Sequence, residues 1–278
     1  MAKTVLITGC SSGIGHALAL EFHAQGHRVF ATARKTPSIA DLEARGIETL
    51  ALEVTDAASI AALRDALTAR TGGRLDVLVN NAGRNYTVPA LDVDLAEVRA
   101  VFETNVYAVM ALCQAFAPLV IASKGTIVQI GSLAAVMPYV FGGVYNASKG
   151  ALHSYTDTLR VELAPFGVRV VNVITGGVAS NLTRVERDLP TDSIYLPVLE
   201  QYNRRQKHSK EVGVPCEEYA RVVVGKLLKT KKVTLWEGYG AWLVWFASSY
   251  LPRSVLELYM ARTFQLWRLK DSNTKKLK

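Results

Sequence analysis

Several things that are scarce in this chain narrow the field first. It has only 3 cysteines, Cys10, Cys113 and Cys216. Their spacing suits neither a metal site nor a disulfide framework, so a reduced, intracellular protein is expected. The 5 histidines are scattered, with no convergent carboxylate or cysteine set, and no metal site is expected. No run of about 18 uncharged apolar residues occurs, which argues against an ordinary membrane span. The opening MAKTVLITG enters a buried-looking strand at once, so no secretory signal is expected and a cytoplasmic location follows. Acid is also short, with 24 Asp and Glu against 32 Lys and Arg. Much of the basic excess is local: Lys226, Lys229, Lys231 and Lys232; Arg204, Arg205, Lys207 and Lys210; Arg268, Lys270, Lys275, Lys276 and Lys278. Such patches meet phosphorylated substrates, anionic lipid or simply solvent. They lie outside any recognised nucleic-acid motif, and no nucleic-acid partner is expected.

What is present is a large apolar fraction, 50% of 278 residues, enough for one core with or without a small appendage. Lys3 to Thr8 reads as a continuously apolar strand of a parallel sheet. It runs into Gly9-Cys10-Ser11-Ser12-Gly13-Ile14-Gly15 and then a helix from His16 to Gln25, stopped by Gly26. Glycines here let backbone amides and a helix N-terminus reach a dinucleotide pyrophosphate; a purely structural turn is the plainer alternative. The second strand, Arg28 to Ala33, ends at Arg34-Lys35 where NAD-binding folds usually carry an acid. Arginine there suits a 2'-phosphate, which favours NADPH, although a plain surface arginine fits as well.

Further strands are expected at Gly46 to Leu52, Leu75 to Asn80, Thr126 to Gly131, Val168 to Ile174 and Val233 to Trp236. Helices are expected at Ala57 to Arg70, Leu95 to Ile121, from Tyr145 onward, and at Glu217 to Leu228. Asn105, inside the long apolar helix, must satisfy its amide either as a structural hydrogen-bond centre or in a proton path. Tyr145 and Lys149 stand one helical turn apart, so both can face one cleft, where an ammonium favours the phenolate. Ser132 lies just beyond a strand, at the edge where doubly wound sheets bind ligands.

Together TGxxxGxG, Asn80-Asn81-Ala82-Gly83, Ser132 and Tyr-x-x-x-Lys resemble the short-chain dehydrogenase/reductase family over roughly residues 3–237. The resemblance implies a Rossmann-like doubly wound parallel sheet with helices on both faces. It further implies a single domain over 1–240, with a substrate lid at about 181–215 and an aromatic helical extension at 241–278. The implied catalytic set is Asn105, Ser132, Tyr145 and Lys149: Tyr145 protonates the carbonyl oxygen, Ser132 orients it, Lys149 holds the nicotinamide ribose and lowers the tyrosine pKa, and Asn105 holds a linked water. The implied cofactor contacts are Gly9, Ser11, Ser12, Gly13, Ile14, Gly15, Arg34, Glu53, Val54, Asn81, Ala82, Gly83, Tyr145, Lys149, Gly176, Val178 and Ser180. Ser11 is placed as a helper at the 2'-phosphate, and Glu53, longer than the usual Asp, beside the adenine. Thr175 replaces the usual proline before Gly176, a change expected to free that turn.

ITGCSSGIG, VFATARK, VYNASKGALHSYTDTLRVEL and VITGGV resemble the branch of fungal NADPH-dependent 1-acyldihydroxyacetone-phosphate reductases, which is similar to 17β-hydroxysteroid dehydrogenases and reductases of secondary metabolism. That branch implies a small hydrophobic carbonyl substrate and allows association with lipid droplets or endoplasmic reticulum. A homodimer through the Asn105 and Tyr145 helices, and a catalytically idle NADP-binding scaffold, are also compatible. Arg184, Arg187, Arg204 and Arg205 are read as helix-solvating charges or as partners of an anionic group. The aromatic tail, from Trp242 to Trp267, either closes the pocket, meets lipid or forms a subunit contact.

Overall fold

A computed structural model describes residues 2–183 and 185–270, without the side chains of Thr183 and residues 208–210. Seven parallel strands form one sheet: β1 Thr4–Ile7, β2 Arg28–Ala33, β3 Glu48–Ala51, β4 Val77–Asn80, β5 Thr126–Ile130, β6 Arg169–Thr175 and β7 Thr234–Glu237. Their spatial order is β3-β2-β1-β4-β5-β6-β7. The chain therefore winds outward one way from β1 and then the other way from β4. The reversal opens a crevice beyond the C-terminal ends of these two strands, the place where such sheets bind ligands.

The helices are α1 Gly13–Ala24, α2 Ala40–Glu43, α3 Ala57–Thr71, α4 Leu95–Phe102, α5 Ala108–Ser123, α6 Gly143–Leu163, α7 Leu199–Val212, α8 Cys216–Lys229, α9 Ala241–Tyr250 and α10 Arg253–Thr263. Strand residues alternate between the two faces of the sheet. Val5 and Ile7 pack with Leu18, Phe22, Tyr219 and Val223 of α1 and α8, whereas Leu6 packs with Leu63, Leu112, Phe116 and Leu152 of α3, α5 and α6. Burial on both faces is why the strands read as unbroken apolar runs.

Strands β1 to β5 fall within the stretches expected from sequence, and β6 and β7 each end one residue later. Helices α1, α3, α5, α6 and α8 overrun their expected stretches by one to three residues, α2 and α7 are not expected, and α9 and α10 lie in 241–278, where the resemblance implies a helical extension. Between Leu95 and Ser123, however, the helix is broken by a π-helical turn at Glu103–Tyr107 that contains Asn105. By length and composition this 29-residue run would suffice to cross a membrane. In the fold its Leu112, Cys113, Phe116, Leu119 and Val120 are buried in the core, which makes it a core helix. The 181–215 segment contains α7, a helix not expected from the sequence. Pro252 separates α9 from α10, as expected where an imino nitrogen cannot continue a helix.

Candidate active site

The floor of the site is the turn after β1 locked onto the turn after β4. A Cβ at Gly15 would lie 2.3 Å from Asn81 Nδ2 and 2.4 Å from the Gly9 carbonyl oxygen, so no side chain fits there. Gly9 adopts φ +73°, and a Cβ on it would meet Ala82 Cα at 2.9 Å. Asn81 Nδ2 donates to the carbonyls of Thr8 (2.8 Å) and Gly9 (3.1 Å). The Thr8 hydroxyl accepts from the backbone amides of Asn81 (3.0 Å) and Ala82 (2.9 Å). Asn81 is thus a brace between two turns. Thr8, which sequence reasoning passed over as a strand residue, is the other half of that brace.

Above this floor stands the N-terminus of α1, whose first turn carries no acid. Ser12 caps it without a side-chain bond, Ser11 is exposed, and Ile14 packs against the core. Free amides and a positive helix end without a competing carboxylate suit a pyrophosphate. Arg34 is exposed at the end of β2 with no ion pair among the described residues. Glu53 spends one carboxylate oxygen on Thr55, accepting from its amide (3.1 Å) and hydroxyl (2.9 Å), while Val54 packs on the core. On the opposite wall Val178 is buried, and Ser180 Cβ lies 3.2 Å from a Cβ built on Gly13.

The turn before Ser180 is not freed by the loss of proline. Thr175 is the last residue of β6, registered with Glu237, and its hydroxyl is 2.6 Å from that of Tyr219. Gly176 donates to the Glu237 carbonyl (2.7 Å), and a Cβ there would strike the Tyr239 carbonyl at 2.3 Å. Pairing with β7 and the residues after it supplies the rigidity that a proline would have given.

Ser132, Tyr145 and Lys149 meet at the C-terminal end of β5. Lys149 is buried and its Nζ donates to the Ile130 carbonyl at 2.8 Å, two residues before Ser132. Burial pulls its ammonium down to about 8. Tyr145 departs from the expectation that the ammonium lowers its pKa. Its phenol is pushed up by burial, and the groups that draw it back are the neighbouring Ser132 hydroxyl and the Arg205 guanidinium. The physical reason is that Lys149 Nζ is turned to a carbonyl and stands 5.9 Å from the Tyr145 ring centroid.

Asn105 is buried with its amide fully used. Its Oδ1 accepts from the Arg84 amide (2.9 Å), and its Nδ2 donates to the Arg84 carbonyl (2.9 Å) and to Ser148 Oγ (3.0 Å). These three bonds make the side chain a hydrogen-bond centre between the Arg84 backbone and Ser148. Gly83 lies directly beneath, its would-be Cβ 3.3 Å from Asn105 Oδ1. The surrounding π-turn is a feature often found at functional sites.

His153, which sequence reasoning did not single out, supports Ser132 from below. Its Nε2 accepts from the Ser132 amide at 3.2 Å. Burial first, and then the Lys149 charge, hold the imidazole down to about 4, so it stays neutral and keeps that lone pair. The available signal was spacing: Tyr145, Lys149 and His153 follow one another at four-residue steps along one face of α6.

The outer wall is aromatic. Phe141, buried just before α6, adopts φ +63°, a left-handed conformation that is strained for a bulky residue. It packs edge-on against Tyr195, Tyr202 and Phe264, which joins the 181–215 segment and α10 to the loop preceding Tyr145. Of the four segment arginines, Arg184 lies outside the described residues. Arg187 pairs with Glu97 at 3.2 Å, and exposed Arg204 donates to the Thr263 carbonyl at 3.0 Å. Arg205 is the exception: it is 5% exposed, turned inward, with its carbon 3.8 Å above the Tyr139 ring centroid. A guanidinium withdrawn from water costs several kcal/mol, and one desolvated ring face returns about 2 kcal/mol or somewhat more.

All three cysteines are free and buried, and burial raises Cys10 to about 12 and Cys113 to about 11. No metal-ligand cluster occurs among the described residues.

Comparison with known proteins places this geometry. A profile described as short chain dehydrogenase matches residues 3–190. A short-chain dehydrogenase of Hypocrea virens is 38% identical over 280 aligned positions, covering 99% of this chain and 97% of that protein. The NADPH-dependent 1-acyldihydroxyacetone phosphate reductase of Schizosaccharomyces pombe is 40% identical over 270 positions, covering 93% and 86%. Among solved structures, a short-chain dehydrogenase from Streptomyces avermitilis superposes with a TM-score of 0.79 at 28% identity, covering 96% of this chain and 98% of that one.

Proposed function

This chain belongs to the short-chain dehydrogenase family, and from that premise we propose that it is an NADPH-dependent carbonyl reductase acting on a hydrophobic ketone. The observation that carries the reading is the meeting of Ser132, Tyr145 and Lys149 at the end of β5, beside the glycine floor. Bound along that floor, NADPH supplies the hydride. The α1 N-terminus and the turn of Gly9, Ser11, Ser12, Gly13, Ile14 and Gly15 take the pyrophosphate. Arg34, with Ser11, takes the 2'-phosphate, while Glu53, Val54, Ala82 and Gly83 flank the adenosine. Gly176, Val178 and Ser180 border the nicotinamide. A related metagenomic oxidoreductase, 29% identical with a TM-score of 0.64, has been solved in complex with NADP, which supports the same cofactor here.

Tyr145 Oη gives its proton to the carbonyl oxygen as the carbon receives hydride, and Ser132 Oγ holds that oxygen in line. Lys149 holds the ribose hydroxyls. Its positive charge would favour the phenolate left on Tyr145. Asn105 keeps the Arg84 backbone and Ser148 in place beneath them. The test is NADPH consumption by the purified protein against ketones of different shape. Changing Tyr145 to Phe is expected to lower kcat by about 1000-fold while NADPH binding persists; unchanged turnover would instead indicate an idle scaffold. Arg34→Ala should erode a kcat/KM preference for NADPH over NADH, and a native preference for NADH overturns the cofactor assignment.

For the substrate, an acylated dihydroxyacetone phosphate is supported by the Schizosaccharomyces pombe relative, and a polycyclic or aromatic ketone by the apolar content of the 181–215 segment, with Tyr195 half-buried and Leu196 and Leu199 exposed. The 181–215 segment is the lid in either case. Peripheral attachment to a lipid surface, such as a droplet or endoplasmic reticulum, is supported by the exposed side chains of Trp242, Leu243, Tyr250, Leu258 and Trp267 near Arg262 and Arg268. A homodimer is supported by exposed Tyr107, Val161 and Phe166 on and beside α5 and α6. Flotation with vesicles and sedimentation equilibrium test these two associations.

A further inference from the structure

Among the described residues of the 181–215 segment, Arg205 is an inward-facing charge that this reading leaves without a task. It lies on α7 with its side chain 5% exposed, and its Nε is buried without a hydrogen-bond partner. Among the described residues no carboxylate pairs with it, and its contact is the face of Tyr139. An arginine remains charged at any ordinary pH, and a single ring face does not offset the loss of water around the guanidinium. A second buried group beside it is also unanswered. Asn146 Oδ1 has no partner, while its Nδ2 is committed to the Tyr139 carbonyl at 2.9 Å, which fixes the amide's orientation. The two groups converge: a Cβ built on Gly142 would lie 3.1 Å from Asn146 Oδ1 and 3.7 Å from Arg205 Nη2. Gly142 is the N-cap of α6, three residues before Tyr145, and the Tyr139 carbonyl is a third neighbour, 3.4 Å from the same built Cβ. The guanidinium is also close enough to Tyr145 for its charge to act on the phenol.

We propose that Arg205 is a specificity-determining anchor for an oxyanion carried by the ketone, so that the site takes an acidic ketone with an apolar body. This rests on the reductase reading and narrows it. The planar fork of Arg205 pairs with a carboxylate or phosphate oxygen on the substrate, beside the half-buried Tyr139 ring on which the guanidinium rests. The anion thereby completes a charge pair that the described residues do not supply, and binding of the correct substrate is coupled to Tyr145 through the same corner of the site.

The experiment compares kcat/KM with NADPH for two matched pairs, an acyl-dihydroxyacetone phosphate with its unphosphorylated ketone and a 3-oxo acid with its methyl ester. The proteins are wild type, Arg205→Met and Arg205→Lys. Expected is a wild-type preference for the anionic member of one pair. In Arg205→Met that ratio should fall on the order of 100-fold, as when one partner of a buried charge pair is removed. Arg205→Lys should lie between, since it keeps the charge without the fork. The pair that responds identifies phosphate or carboxylate. A ratio that stays the same in both pairs overturns the anchor even if both substrates lose rate, because a purely structural arginine moves them together. If wild type reduces no ketone at all, the reductase reading itself fails and the anchor with it. Should Arg205→Met not fold, calorimetry on wild type with NADP+ and the alcohol products decides: about tenfold tighter binding of the anionic alcohol is expected, and equal affinity overturns the proposal.

Discussion

The floor and the outer wall of the site handle buried polarity in opposite ways. At the floor, Thr8, Gly9, Asn81 and Ala82 satisfy one another, and the glycines leave room for nothing but backbone. At the wall, Arg205 Nε and Asn146 Oδ1 are buried without partners, and Phe141 holds a left-handed conformation between aromatic rings. A closed network of hydrogen bonds rigidifies; an incomplete one costs free energy until something completes it. The difference teaches that the floor is built to present one shape to a cofactor, while the wall carries stored cost that a chosen ligand relieves. The same contrast separates the two buried cations. Lys149 gives a hydrogen bond to the Ile130 carbonyl, whereas among the described residues Arg205 rests on the face of the Tyr139 ring with its Nε unsatisfied.

The sharpest way to break this comparison is to enter the floor. Gly15→Ala places a methyl 2.3 Å from Asn81 Nδ2 and 2.4 Å from the Gly9 carbonyl, both held in place. A loss of about 3 kcal/mol or more in unfolding free energy is expected from urea titration. A cost under about 1 kcal/mol would mean that the floor yields as readily as the wall.

Next in size is the pH dependence set by Lys149. Its folded pKa, about 8, lies below the ordinary 10.5, so in the interval between them the unfolded chain binds more protons. Stability then rises with pH through that interval, the sign for a base whose charged form is disfavoured by burial. Wild type should gain about 2 kcal/mol relative to Lys149→Met between pH 7.5 and 9.5, without cofactor. Parallel pH profiles for the two proteins would show that the ammonium is solvated in the free protein.

The smallest effect concerns the wall. Replacing the unpaired Arg205 by Met should raise the unfolding free energy of the ligand-free protein by about 1 kcal/mol, since a buried charge is exchanged for an apolar chain of similar length. A fall in melting temperature would mean that the guanidinium holds α7 against Tyr139 as a structural element.

Legibility from sequence follows the range of the interactions. Residues 4–83 were readable because apolar strand runs and a glycine turn state their structure locally, and β2 matches its expected bounds at Arg28 and Ala33. Tyr145 and Lys149 were readable because one helical turn brings them together whatever surrounds the helix. His153 was overlooked on the same face because its partner, the Ser132 amide, comes from a different element. Thr175 misled, because a missing proline announces a loose turn while the pairing of Thr175 with Glu237 and the Tyr219 hydroxyl tightens it.

By itself, then, the sequence determined the run of the seven strands, the glycine floor and the one-turn spacing of Tyr145 and Lys149, all consequences of backbone sterics and side-chain period acting over a few residues. Only the tertiary structure decided which polar groups find partners. It satisfied Asn105 with the Arg84 backbone, turned Lys149 to Ile130 and left Arg205 unpaired beside Tyr145. Hydrogen bonding and desolvation depend on groups brought together from distant parts of the chain, and no local pattern encodes which of them will be left over.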